Sequence, residues 1–398
     1  MSRLLSPFVT VIRSAALSIF SGLTGSGGHS LPCHLASEQA VEPGGRPAPN
    51  ALNCRIRLTK QQKDNSVLNV FEMQICGLIH APGNLHYTTA QISIVDVTDG
   101  LPKAVHSKAR QQQTKDSGVF CYNAELGRLP SADTLLSDWT GIAQIQADWL
   151  ILPRKGERNL QFAVSILSQQ TGQELAYAEC TFTYENPTVG YIDLQENRRR
   201  TKTLAVALAF AVSAADKKMF ACEVELIKNW ARANFDSPNS TKKDKRKLEK
   251  VLNRTVSFFR DGHQLDNFKI CKEIVEISPL AERYDILELC LQVVRAKGVA
   301  TMEELTVLKN LATWLEVDPD RFHSMLGKNL PVSMHETKNT ELVLGLAPEM
   351  GQEKTRRHLN REYSRWNSRV TNTDPKIRSQ ADQMLKLITE ARNRCIKS

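Results

Sequence analysis

The 398-residue chain has no apolar run approaching the roughly 18–20 residues of a membrane-spanning helix, which excludes a polytopic membrane protein. It has no Cys-x-x-Cys pair, so a zinc ribbon or a thioredoxin-type redox centre is unsupported. Its nine cysteines are odd in number and widely spaced, and several sit in apolar runs, as Cys290 does within Leu287–Leu291. They are expected to be small buried hydrophobes in a reducing compartment. There is no glycine-rich phosphate loop, no nucleophile elbow and no His/Cys/carboxylate cluster at ligand spacing, so the chain is not expected to be an enzyme. A zinc-finger pattern and an aromatic–glycine RNA-binding signature are also missing, and nucleic acid is not indicated as a partner.

What is present is ordinary soluble-protein composition: 41% hydrophobic and 24% charged residues, on a length that fits two or three domains. The formal charge of +9 is local. Arg198–Lys202 and Lys242–Lys250 each carry +4, and Lys354–Arg369 carries +5. All three lie beyond the β-rich segment, in the helical part of the chain. Such runs suit phosphates, anionic lipid or an acidic protein.

Residues 1–52 read as an amphipathic segment and a flexible linker. Phe8, Val11, Ile12, Ala15, Ile19, Phe20 and Leu23 recur at helical steps opposite Ser6, Thr10, Arg13, Ser14 and Ser21. Arg13 makes this a poor secretory segment, whereas peripheral membrane contact through residues 1–23 fits the pattern. Gly25, Gly27, Gly28, Pro32, Pro43, Gly44, Gly45, Pro47 and Pro49 then mark the linker. The expected location is cytoplasmic, with the inner membrane face as a peripheral site.

Over residues 53–190 the apolar period becomes two. Phe71, Met73 and Ile75 alternate with polar neighbours, as do Ile92 and Ile94, and Leu160, Phe162, Val164 and Ile166. Ile145, Ala147, Trp149 and Ile151 share one parity, and Cys180, Phe182 and Tyr184 close the series. About seven short strands predict an antiparallel β-sandwich. Asp96, Asp99 and Asp148 are too scattered for a calcium loop.

Residues 198–332 read as all-helical. Leu204–Ala214 is an apolar core helix, followed by Ala215-Asp216-Lys217-Lys218 and then Glu223. The phrase returns as Val294-Arg295-Ala296-Lys297-Gly298 and then Glu304. In each copy a Glu stands seven residues past the turn's first polar position (216→223, 297→304). This internal repeat resembles the tellurite-resistance TerB family, an all-helical domain with an apolar helix, Ala-Asp-Gly, and a Glu seven residues after the Asp. The resemblance implies an acidic surface at Asp216, Glu223 and Glu304, suited to calcium or another divalent cation. The first copy has Lys217 where Gly is usual, and the second has Lys297 where Asp is usual. A Lys297 salt bridge to Glu223, Glu303 or Glu304 is the competing expectation.

Residues 339–398 carry a short apolar helix at Glu341–Leu346, Pro348-Glu349, a basic helix at Glu353–Trp366, and a last helix opened by Asp374-Pro375. Ala381, Leu385, Ile388 and Ala391 step along one face of that helix. The order resembles a small helical J-domain, and following the TerB-like segment it resembles the arrangement of DnaJ-like co-chaperones. J-domains carry His-Pro-Asp after the basic helix; here Trp366–Thr373 contains none. The resemblance implies a partner-binding basic helix at Lys354, Arg356, Arg357, Arg361, Arg365 and Arg369. It also implies a DnaK-type chaperone as a partner whose ATPase the chain would not stimulate. The fold expected is multidomain α+β. The function expected is a non-catalytic adaptor in stress response or quality control, with a divalent-metal-responsive sensor as the alternative.

Overall fold

The computed structural model describes residues 51–63, 66–80, 86–109, 118–129, 133–235, 241–330, 344–346 and 350–397. The amphipathic pattern of residues 1–23 and nearly all of the linker lie outside them, as do residues 341–343 of the short apolar helix. The described residues form two compact units divided between Glu196 and Asn197. The first is an antiparallel sheet region, and the second is a helical region.

The strands of the first unit are β1 (Leu52–Lys63), β2 (Ser66–Ile79), β3 (His86–Asp96), β4 (Lys103–Ala104), β5 (His106–Ser107), β6 (Cys121–Leu129), β7 (Thr134–Gln146), β8 (Leu150–Ile151), β9 (Gly156–Ser168) and β10 (Glu174–Asn186). One sheet runs β1-β2-β7; the other runs β10-β9-β3-β4, with β6 also on β3. Every pairing is antiparallel. Alternation explains the shared core. Leu160, Phe162, Val164 and Ile166 of β9 are fully buried together with Ile92 and Ile94 of β3 and Phe71 and Met73 of β2. Phe71 joins the sheets: its ring lies 5.4 Å from Phe162, 5.9 Å from Phe182 and 5.0 Å from Tyr184. Such tilted and edge-on pairs add to the burial of each ring.

The single strand expected across Ile145–Ile151 is two elements. The strand β7 ends at Gln146, Ala147–Trp149 make a 3-10 turn, and β8 pairs with β5 in a separate two-stranded ladder. The cysteine expectation needs one correction as well. Cys76, Cys271 and Cys290 are buried and Cys54, Cys121 and Cys180 half-buried, but Cys222 is exposed on its helix. Burial alone pushes the Cys271 thiol up to about 12.

The helices are α1 (Tyr191–Ser213), α2 (Ala221–Phe235), α3 (Lys242–Arg260), α4 (Asn267–Ile277), α5 (Leu280–Ala296), α6 (Met302–Trp314), α7 (Pro319–Asn329), α8 (Gln352–Asn367) and α9 (Pro375–Lys397). Gly190 opens α1 where a Cβ would sit 2.2 Å from the Pro153 carbonyl oxygen. Only glycine admits that approach. The Leu204–Ala214 run supplies the centre of the helical core: Leu204, Leu208, Phe210 and Val212 pack with Ile227, Leu287, Cys290, Val294, Leu308 and Leu311. Side-chain caps set several starts. Thr241 and Thr301 form capping boxes with Asp244 and Glu304, and Asp318 caps α7 ahead of Pro319. The last two helices have a core of their own, in which Leu344, Leu346, Leu359 and Trp366 meet Ala381, Met384, Leu387, Ile388 and Ala391. Leu385 is only partly buried beside it.

Candidate functional site

The two copies of the internal repeat meet at one point. Each copy ends a helix and turns on a left-handed residue: Lys217 at φ 63° and Gly298 at φ 85°. The turns share a hydrogen bond, with the Lys217 amide donating to the Ala214 carbonyl and the Gly298 amide to the Arg295 carbonyl, both at 3.0 Å. Glycine takes this conformation without cost; lysine does not.

The residues before those turns, Asp216 and Lys297, face each other. The Lys297 ammonium donates to Asp216 Oδ2 at 2.8 Å and to Glu304 Oε1 at 2.7 Å, and it lies 3.8 Å from Glu223 Oε1. The side chains of Glu223 and Glu304 are wholly buried, and that of Lys297 is 6% exposed. The structure therefore brings together all three acidic residues expected at the site, and it seats the lysine among them.

The other carboxylate oxygens hold the starts of α2 and α6. Glu223 Oε2 accepts from the Ser213 hydroxyl at 2.7 Å and from the Phe220 amide at 3.2 Å. Glu304 Oε2 accepts from the Thr301 amide at 2.9 Å, within the capping box. Asp216 Oδ1 accepts from the Lys218 amide at 2.9 Å. Glu223 Oε1 is the exception: it is buried without a hydrogen-bond partner.

The electrostatics follow from one cation serving three anions. Burial pushes the Glu223 carboxyl above its ordinary range despite the Ser213 and Phe220 donors and the Lys297 charge, and nearby Glu304 adds to the rise. Burial raises Glu304 in the same way, against the pull of Lys297 and the Thr301 amide. For Lys297 burial works against the charge, but the bonds to Asp216 and Glu304 outweigh it and hold the ammonium above its ordinary value.

A divalent ion does not fit this arrangement as it stands. Calcium needs oxygens at about 2.3–2.6 Å, and the point where these oxygens converge is filled by an ammonium of like charge. Among the described residues, no group of three or more His, Cys, Asp and Glu side chains is set to hold a metal ion.

The basic helix α8 is less available than its sequence implies. Lys354, Arg356, Arg357 and Arg361 are exposed, whereas Arg365 and Arg369 are half-buried. Arg361 donates to Asp320 Oδ1 at 3.0 Å, and Arg365 to Ser324 Oγ at 2.9 Å, both on α7. Arg369 stacks over Trp366 with its guanidinium 4.7 Å from the ring centroid. Arg357 donates to Glu353 at 3.0 Å, and Arg356 lies 3.8 Å from it.

Behind those contacts a half-buried histidine faces a buried glutamate, a pair that sequence reasoning did not find. His323 of α7 lies 3.8 Å from Glu362 of α8, and Glu362 Oε2 has no hydrogen-bond partner. His358 approaches the Leu344 carbonyl at 2.7 Å. Glu362 sits inside the run of bases and reads in sequence as one more solvated charge; its position one turn before Trp366 was the available signal.

Residues 202–326 match the family model described as tellurite resistance protein TerB, and this part of the chain is a TerB domain. The match spans α1 from Lys202, through both copies of the repeat, into α7. No curated protein matches the chain. Among the described residues no helix is long and apolar enough to cross a membrane.

Proposed function

We propose that the chain is a non-catalytic adaptor in a stress-response or quality-control setting. In this reading a β-sandwich docking module precedes the TerB domain, and a J-like helical pair follows it. The family's description ties the TerB domain to tellurite resistance, which supports the stress setting. The rest is carried by one observation: Arg361 and Arg365, the bases a J-like helix would turn toward a DnaK-type chaperone, are bonded to Asp320 and Ser324 of α7. The turn from Ser368 to Asp374 also lacks His-Pro-Asp. A chaperone that met Lys354, Arg356 and Arg357 would therefore dock without having its ATPase triggered. The partners are proteins, and the location is cytoplasmic, with residues 1–23 as a peripheral membrane contact. Metal sensing through Asp216, Glu223 and Glu304 is the weaker reading, because Lys297 fills their centre.

A steady-state phosphate-release assay with the full chain and a DnaK-type chaperone tests this. No stimulation is expected. Clear stimulation would overturn the adaptor reading.

A further inference from the structure

Four corresponding positions of the repeat converge in the TerB domain. Asp216 and Lys297 occupy one pair of equivalent positions, and Glu223 and Glu304 the other. Had position 297 carried an acid like its counterpart, four carboxylates would meet in the interior. Buried charges of one sign persist only if cations come with them. Lysine changes that balance by reversing the charge at one of the four positions.

The packing shows a cation in place. The ammonium has carboxylate oxygens at 2.7, 2.8 and 3.8 Å, and its nitrogen lies 5.2 Å from the centre of the Phe220 ring. Glu223 Oε1, buried and without a hydrogen-bond partner, points to the same centre. The contact joins residues 81 positions apart, so it ties one copy of the repeat to the other.

We propose that Lys297 is the resident cation of this TerB domain. Its ammonium stands where a dissolved divalent ion would otherwise be required, and the fold of the domain is independent of metal. The carboxylates that could have formed a metal centre instead form a tethered ion-pair joint between the two halves of the domain. The lysine cannot be exchanged with solvent ions, so metal concentration does not regulate this part of the chain.

Thermal unfolding of the full chain tests the proposal, comparing excess chelator with millimolar calcium or magnesium chloride at constant ionic strength. The wild-type melting temperature is expected to be the same in both. A rise of several degrees with either ion, reversed by chelator, would overturn the proposal. Lys297→Ala leaves three converging carboxylates without their cation. It is expected to melt well below wild type in chelator and to recover part of the loss with calcium or magnesium. A variant as stable as wild type in chelator would also overturn the proposal. Should Lys297→Ala fail to fold under either condition, the wild-type comparison alone decides.

Discussion

Asp96 is buried at the end of β3, and its carboxylate is met from several sides. Arg158 donates to Oδ2 at 2.8 Å and to Oδ1 at 3.1 Å, and the Thr98 amide and hydroxyl donate to Oδ1 at 3.0 and 2.6 Å. Burial alone would raise this carboxyl, but the Arg158 fork and the two Thr98 bonds outweigh it and hold it below its ordinary value of 3.8. A carboxyl depressed in the fold contributes stability that is present above the unfolded value and lost as pH falls through the folded one. Urea unfolding of the sheet unit should thus weaken below about pH 4. Asp96→Asn should cost about 1.5–3 kcal/mol near neutrality, because buried Arg158 loses its charged partner and keeps only Asp99 Oδ2 at 3.4 Å. The variant should also show a shallower acid slope than wild type. Lys217 makes the opposite case. It holds a left-handed turn with a side chain that disfavours it, while Gly298 fills the equivalent place without strain. Lys217→Gly is expected to leave stability unchanged or raise it by about 1 kcal/mol, read as the chemical-denaturation midpoint. A clear loss would mean that the Lys217 side chain has a stabilising role that outweighs the strain.

At the scale of elements, the pairing of α7 with α8 should be sensitive to acid. Burial holds the His323 imidazole below 6.5, with His358 and Arg365 acting in the same direction and Glu362 and Asp320 opposing. A histidine depressed in the fold favours the native state above the unfolded value and weakens it as pH falls through the folded one. Amide exchange in α8 and α9 should therefore speed up below about pH 6 relative to α5. His323→Phe, which keeps the ring and removes the titration, should flatten that change. The elements themselves were largely legible. A period of two marked β9, and the core face of α1 lay open in the Leu204–Ala214 run. The step of seven from 216 to 223 and from 297 to 304 marks both glutamates in the sequence itself. Lys297 could be suspected of a carboxylate partner, yet its bond to Asp216 spans 81 residues and depends on how α1 and α5 bring their ends together. Parity failed at Ile145–Ile151 because alternation is a local signal and does not report a turn such as Ala147–Trp149. Capture of Arg361 and Arg365 by α7 was likewise invisible, since a base that meets solvent and one that meets a neighbouring helix read alike in sequence.

For the whole molecule the question is which of its local positive runs remain outward. The run at Arg198–Lys202 is partly consumed: Arg200 donates to Glu273 at 2.6 Å, and Arg198 lies 3.9 Å from Glu282. The run on α8 is partly consumed by α7. Along α3, by contrast, Lys242, Lys243, Arg246, Lys250 and Arg254 are all exposed. Arg246, Lys250 and Arg254 follow one another at steps of four, so they line one side of the helix. They also border a recess with Asn253, Ser257 and Phe258. An acidic protein surface is the complement of such a stripe, and its attraction is screened with a Debye length of about 8–10 Å near physiological salt. Affinity capture with the full chain should therefore recover partners more strongly in low than in moderate salt. Changing Arg246, Lys250 and Arg254 together to Ala should remove most of that salt-sensitive fraction. Changing Lys354, Arg356 and Arg357 together should remove less, because two of those three are already engaged with Glu353. If the α8 variant loses the partners and the α3 variant keeps them, the outward surface of the TerB domain is not the docking surface.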